Sequence, residues 1–449
     1  MNNIVKVRDD DKWFEFEKMS DDSDERGFKL CNGSKVNWCS DDCFSIAELK
    51  GRIEPWLTSL FQSEHLSLLV GSGLSTAIQY LACNNADNGM GEFVPESKYA
   101  DKIVKMAKES AIKAGRGEDP NFEDYIRVMS ELLRGLEILG VEKEIDELNE
   151  ELNEAIKDFT DNITAIENSI ITSDKNDRER AFNILVKFLL SFASRTGTRD
   201  RLNIFTTNYD RVIEVGADIA GLHMLDRFVG SMTPIFRSSR LNIDMHYNPP
   251  GMRGEPRYLE GVVHYTKLHG SVDWISTDNN IKKIGLPFGA RKIDPYLDAP
   301  GLNAQATQIM IYPNATKDRE TSEYPYIDLF RDFAAALCRP NNTLVTYGYS
   351  FGDDHINRII KDMLTIPSTH LVIIAYDDKF GRIHDVYDDW GRENQISVLV
   401  GSDVADIEKL VNYYLPKPAI DFASNRMAEI LNKRYIQVPK SGEGNKEEA

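Results

Sequence analysis

Cysteine, long apolar runs and positive charge are what this chain of 449 residues has least of. The five cysteines, Cys31, Cys39, Cys43, Cys83 and Cys338, are an odd number without framework spacing, which fits reduced thiols in a cytosol rather than a disulfide scaffold. Cys39 and Cys43 have the spacing of half a zinc site, but no second close pair follows, so no structural zinc is expected. No apolar run approaches the length of a membrane span, and the opening Met-Asn-Asn-Ile-Val-Lys lacks the apolar segment of a signal peptide. The expected location is the cytoplasm. A formal net charge of -19 argues against a surface that as a whole binds duplex DNA or anionic membrane, because phosphate contacts need Lys and Arg. Contact with nucleic acid is expected only indirectly. A Walker-type Gly-Lys-Thr is missing, which disfavours a P-loop nucleotidase, and so is a full G-x-G-x-x-G.

What is present reads as a soluble α/β chain. Residues 1–45 are acidic, with Asp9-Asp10-Asp11 and Asp21-Asp22-Ser23-Asp24 interrupting two short alternating runs. They read either as a loose hairpin arm or as disorder, and the arm is expected to pack on a partner or a neighbouring subunit. Ile53, Trp56, Leu57, Leu60 and Phe61 recur at helical spacing and predict a helix over 46–62. The remainder to about residue 440 forms one domain with two insertions, a helical one over about 96–200 and a loop over about 221–261, followed by a disordered tail at 441–449. In the first insertion Ile145, Leu148, Leu152 and Ile156 make a single stripe, the pattern of a solvated helix with one packed face. The second carries Arg227, Arg237, Arg240, Arg253 and Arg257 and reads equally as an exposed loop or as a lid contacting phosphates. Strands are predicted at 66–70, 202–206, 262–268, 308–312, 343–347, 371–375 and 396–400, with helices between them and a last helix from Asp403. Such alternation implies a largely parallel sheet with helices on both faces.

Four loops follow predicted strands. Leu66-Ser-Leu-Leu-Val70 runs into Gly71-Ser-Gly-Leu-Ser75 and a helix through Leu81; the turn reads equally as a tight turn or as a phosphate site at a helix N-terminus. Leu202-Asn-Ile-Phe-Thr-Thr-Asn-Tyr-Asp210 places an amide, Asn208, and a carboxylate, Asp210, past the end of a buried strand. Ligands of open α/β sheets bind in that crevice, although the same residues also suit a turn and helix cap. Leu268-His-Gly-Ser271 puts His269 where a structural histidine or a proton acceptor belongs. Gly348-Tyr-Ser350 leads into Asp353-Asp354-His355, which reads as a helix N-cap before a packing histidine, or as metal ligands of a nuclease-like site.

In this order the loops resemble the sirtuin family, whose pattern runs Gly-Ala-Gly-Ile-Ser, Thr-Gln-Asn-Ile-Asp, Leu-His-Gly-Ser and Gly-Thr-Ser. The resemblance spans roughly 66–400 and implies a Rossmann-like α/β fold with helical insertions, NAD as the ligand and its nicotinamide–ribose bond as the reacting bond. It implies that Asn208 and His269 are catalytic. Gly71, Ser72, Gly73 and Ser75 would hold the pyrophosphate, and Asn208 and Asp210 the nicotinamide ribose. His269 would meet the ribose hydroxyl or a water, Gly348 and Ser350 the adenosine side, with Thr207, Gly270 and Ser271 completing the site. The four-cysteine zinc module of protein-deacylating sirtuins is missing here, and their Pro-x-Phe-Arg segment is not evident in 84–96. The segment Gly348 to Asn357 and the insertions look like the bacterial sirtuin-like proteins of antiphage defence. Those hydrolyse NAD to nicotinamide and ADP-ribose, act as large homo-oligomers, or work beside a HerA-like hexameric ATPase. A protein deacylase, an NAD-binding or ADP-ribose-binding regulatory subunit, and a nuclease component of an ATPase complex are the other readings.

Overall fold

The computed structural model describes residues 2–417 except 9, 20–26, 32, 40–41, 87–92, 114–116, 196–198, 239–243, 248–256, 278–279, 299–301, 303 and 311–323. The chain divides into Met1–Pro416 and Lys417–Ala449; the second unit, with the expected tail, lies outside the described residues apart from Lys417.

The first unit is built on one sheet of eleven strands. In chain order these are β1 (Asn3–Lys6), β2 (Phe14–Lys18), β3 (Phe28–Leu30), β4 (Cys43–Phe44), β5 (His65–Val70), β6 (Leu202–Thr206), β7 (His223–Leu225), β8 (Val262–Lys267), β9 (Asn342–Tyr347), β10 (His370–Ala375) and β11 (Ile396–Val400). Their spatial order is β4-β3-β2-β1-β11-β10-β9-β5-β6-β8-β7. All pairs from β11 to β7 are parallel, whereas β1 joins β11 antiparallel and carries the arm onto the same sheet. The central strands are apolar almost without a break because helices cover both faces. Alternate side chains divide between two cores: Leu66, Leu68, Val70, Val345 and Val372 enter one, and Leu69, Leu344, Leu371 and Ile373 the other.

The helices are α1 (Ile46–Phe61), α2 (Ser72–Cys83), α3 (Ala100–Lys113), α4 (Phe122–Leu139), α5 (Glu142–Thr172), α6 (Lys175–Ala193), α7 (Val212–Ala220), α8 (Asp294–Leu297), α9 (Tyr326–Leu337), α10 (Asp354–Met363) and α11 (Arg382–Asp389). Side chains of α1, α2, α6 and α7 fill the first core, and those of α9, α10 and α11 the second. A third core joins α3, α4 and α5 to segments following β8, around Leu148, Leu152, Ile156, Phe159, Val272 and Ile275. Among the described residues no helix is long and apolar enough to cross a membrane.

Several expectations change. The arm is not a loose appendage: Phe14, Phe16, Phe28 and Phe44 are buried against one another in the first core of the same chain. The strand expected at 308–312 is instead a 3-10 turn at Ala306–Gln308 followed by one isolated bridge from Ile309 to Ile275; residues 311 and 312 lie outside the described residues. The last helix starts at Ile407 rather than Asp403, and continues as a π-turn over Leu410–Tyr414. Asp403 is spent instead on Asn3 and Lys409, which ties the first strand to the loop after the last. In the arginine-rich stretch, Arg227 is buried and forks onto both oxygens of Asp332 at 2.7 and 2.8 Å, so it clamps the fold. Arg240 and Arg253 lie outside the described residues.

His370 joins β10 to α1. Its Nε2 lies 2.9 Å from Ser397 Oγ, which also accepts from Trp56 Nε1. Burial, with the Lys6 charge adding to it, pushes this imidazole down from 6.5 to about 4. The unfolded chain therefore binds a proton that the folded chain refuses. The contribution to stability is complete above pH 6.5 and is lost as pH falls toward 4, by about 3 kcal/mol in all. A His370→Asn variant should lose correspondingly less stability than the wild type across that window in urea unfolding; parallel pH profiles would contradict the assignment.

Candidate functional site

Strand order reverses at β5. From β5 the chain proceeds outward to β6 and beyond on one side, then returns to β9 and proceeds outward to β10 and β11 on the other. The crevice at the carboxyl ends of strands beside such a reversal is where open α/β sheets bind ligands. All four loops singled out in the sequence leave strands at this edge: Gly71–Ser75 after β5, Thr207–Asp210 after β6, Leu268–Ser271 after β8 and Gly348–Ser350 after β9.

The first and last of these touch through backbone alone. Gly71 N–H donates to Tyr347 O at 3.0 Å and Gly73 N–H to Gly348 O at 3.2 Å. A Cβ on Gly71 would lie 2.4 Å from Gly348 O, and one on Gly348 would lie 2.6 Å from Gly73 Cα. Gly348 also has φ of 60°, in the left-handed region. Glycine at these positions is thus required by loop-on-loop contact. Gly71 is the N-cap of α2 and no side chain caps that helix; the N–H groups of Gly71, Gly73 and Leu74 are taken by backbone carbonyls, so what the first turn offers an anion is its positive dipole end beside Ser72. Ser72 is exposed beside it, as is Ser350 on the facing loop.

Asn208 is buried and fixed by its amide. Its Nδ2 donates to Gly71 O and to Ser75 Oγ, both at 3.0 Å, while its N–H donates to Thr206 Oγ1. Because a carbonyl only accepts, the amide orientation is determined, and Oδ1 remains as its acceptor. Ser75 Oγ in turn donates to Asp210 Oδ2 at 2.7 Å, and Asp210 Oδ1 accepts from Val212 N–H at 3.0 Å. Ser75 and Asp210 therefore hold Asn208 and the start of α7. Thr207 N–H donates to Val70 O, anchoring the same loop to β5.

His269 lies one strand away. Thr206 and Lys267 are register partners on β6 and β8, so Asn208 and His269 each stand two residues beyond paired strand ends. The Nε2 of His269 is 2.8 Å from Asp353 Oδ2, with both side chains one-fifth exposed. Asp353 is also the N-cap of α10, its Oδ1 accepting from His355 N–H at 2.9 Å and Ile356 N–H at 3.3 Å. The capping interpretation of that segment thus holds, with an added role as partner of His269. Gly270 has φ of 89°, and a Cβ there would fall 1.9 Å from Met310 O. Ser271 is fully buried, its N–H donating to Met310 O and its Oγ to Tyr209 O. Among the described residues no group of three or more His, Cys, Asp or Glu is arranged to hold a metal ion.

The Tyr209 side chain belongs to the third core, and its ring also lies 6.4 Å from that of His269, centroid to centroid. Its ring packs on Phe159 and its hydroxyl donates to Glu123 Oε1 at 2.8 Å. Arg211 makes the second anchor: its backbone N–H donates to Glu167 Oε1 at 2.9 Å and its guanidinium forms a buried ion pair with the same carboxylate. Burial pushes the Glu167 carboxyl up, and Arg211 opposes that shift. Asn208 is thus followed by two residues, Tyr209 and Arg211, that are tied to α4 and α5. Sequence reading missed Asp353 as the partner of His269, and Glu123 and Glu167 as anchors. Nothing local betrays any of the three, since each partner lies tens of residues away.

Residues 202–399 match a family described as a SIR2-like domain, a segment that includes three of the four loops and begins after Gly71–Ser75. No curated protein matches the chain. A solved sirtuin structure, described as "The Structural basis of Sirtuin Substrate Affinity", is similar at 14% identity over 84% of this chain and 98% of that one, with a TM-score of 0.33.

Breaking the Glu167–Arg211 pair leaves a buried guanidinium without its counter-ion. Glu167→Ala should cost roughly 3–5 kcal/mol, and Tyr209→Phe only about 1 kcal/mol, in denaturant unfolding. Equal and small losses for both would show that α4 and α5 do not anchor the loop.

Proposed function

We propose that this chain hydrolyses NAD to nicotinamide and ADP-ribose. The observation that carries the reading is the placement of a buried, oriented amide at Asn208 and a carboxylate-paired imidazole at His269 beyond adjacent strand ends, next to an N-terminus of α2 that no side chain caps. The match of 202–399 to a SIR2-like domain supports the same ligand class.

The chemistry suits these groups. In this reading the diphosphate of NAD lies against Ser72 at the start of α2, where the helix dipole favours negative charge; Gly71 and Gly73, whose N–H groups are spent on Tyr347 O and Gly348 O, keep the backbone bare for that approach, and Gly348 and Ser350 lie on the adenosine side. As the ribose C1′–nitrogen bond breaks, its electron pair goes to the nicotinamide ring, which leaves neutral, and positive charge develops on the sugar. Asn208 Oδ1, with its Nδ2 committed to Gly71 O and Ser75 Oγ, is an acceptor that can orient the attacking water. The water oxygen bonds to C1′, and its proton passes to the His269 imidazole. The Asp210 carboxylate supplies negative charge near the site while holding Ser75. The roles of Thr207, Gly270 and Ser271 are to fix the loops that present these groups.

The biological setting within this proposal is antiphage defence by NAD depletion, in a homo-oligomer or with a HerA-like hexameric ATPase partner. It is supported by the ordered loops, the Gly348 to Asn357 segment and the helical insertion that holds the site loop.

Incubation of the assembled protein with NAD alone should release nicotinamide. Asn208→Ala and His269→Ala should each reduce the rate by roughly a hundredfold or more, and infected cells carrying either variant should keep their NAD. Nicotinamide release that required an acyl-lysine peptide would replace hydrolysis by deacylation. Unchanged turnover in either variant would remove that residue from the chemistry.

A further inference from the structure

We infer that Asp353 is a positioning residue that holds the His269 imidazole in one tautomer, with Nε2 protonated and Nδ1 as the proton-accepting atom. The inference rests on the NAD-hydrolysing reading for its catalytic consequence, but the tautomer itself follows from geometry.

A carboxylate can only accept, so the 2.8 Å approach of His269 Nε2 to Asp353 Oδ2 puts the proton on Nε2. The neutral ring then carries its lone pair on Nδ1. Asp353 is itself unable to turn away, because its Oδ1 takes two backbone N–H groups at the start of α10. The loop that delivers it is braced from within. Tyr349 Oη reaches Asp353 O at 3.4 Å and Asn357 Oδ1 at 3.2 Å, and Asn357 Nδ2 donates to Phe351 O at 2.8 Å. Phe351 adopts φ of 53°, a left-handed conformation uncommon for a bulky residue. Functional sites are where such backbone outliers concentrate.

Topology makes this more than a local ion pair. His269 follows β8 and Asp353 follows β9, and β5 and β6 lie between those strands. The contact therefore joins loops from non-neighbouring strands across the edge where Gly71 and Asn208 sit. When His269 takes the proton of the attacking water, the imidazolium that forms faces a fixed carboxylate. The proton stays on the ring, and Asp353 orients it and offsets its charge.

Asp353→Asn tests this without removing the cap, since Asn caps helices about as well as Asp. Its amide would donate to Nε2 and drive the proton to Nδ1. In the assembled full-length protein, kcat for NAD should fall by roughly a hundredfold or more with a much smaller change in KM, at an unchanged melting temperature. Nitrogen NMR of histidine-labelled protein, with the His269 signals identified by their loss in His269→Gln, should show an Nε2–H ring in the wild type and an Nδ1–H ring in Asp353→Asn. Asp353→Ser, which caps but is too short to reach the ring, should also lose kcat. A wild-type ring protonated on Nδ1, or full kcat in Asp353→Asn, would overturn the inference. If the wild type cleaves no NAD, the hydrolase reading falls, and the spectra still decide whether Asp353 sets the tautomer.

Discussion

The contact of Gly71 and Gly73 with Gly348 is the constraint on which the site depends. It closes the loops after β5 and β9 against each other at the point where strand order reverses, with backbone atoms closer than any side chain would allow. Asn208 is then hung from that contact, since one of its two amide hydrogen bonds goes to Gly71 O and the other to Ser75 on the helix that Gly71 begins. A side chain at any of the three glycines would move the acceptor that orients Asn208 and the N-terminus of α2 together.

Two further ties work outward from there. Tyr209 and Arg211 fasten the Asn208 loop to α4 and α5, so these two helices are part of what holds the candidate site. On the other side Asp353 fastens His269 to the start of α10. Asn208 and His269 thus occupy neighbouring positions while their supports come from different cores. The two loops are also tied directly to each other, because Ser271 Oγ and Val272 N–H both donate to Tyr209 O, and such a tie fixes relative geometry of the kind that orienting a water against a sugar carbon would demand.

Much of this could be read from the residues. The parallel strands β5, β6, β8, β9, β10 and β11 follow from apolar runs bounded by Gly, Asn and Asp, because a strand buried on both faces must be apolar along its length. The loops at their ends were legible for the same reason. The arm was not: Phe14, Phe16, Phe28 and Phe44 are separated by acidic stretches, and only their mutual packing beside β11 reveals that they extend the sheet. The strand expected at 308–312 had the right composition, yet of its described residues Ile309 makes one isolated bridge to Ile275, and Met310 bonds Ser271 N–H and Trp274 O. Ser75, Asp210 and Ser271 were assigned by motif to the ligand, and the structure places their side chains in bonds that hold loops. Pairings such as His269 with Asp353 have no sequence signature, since they depend on which loops the sheet order brings across its edge.

The central claim is that the crevice beside β5 and β9 seats NAD with its reacting ribose between Asn208 and His269. A crystal structure of the assembled protein soaked with ADP-ribose tests it most directly. The account predicts the diphosphate on the first turn of α2 and the terminal ribose within hydrogen-bond distance of both Asn208 and His269. A diphosphate bound elsewhere, or a terminal ribose turned away from these two residues at full occupancy, would contradict it.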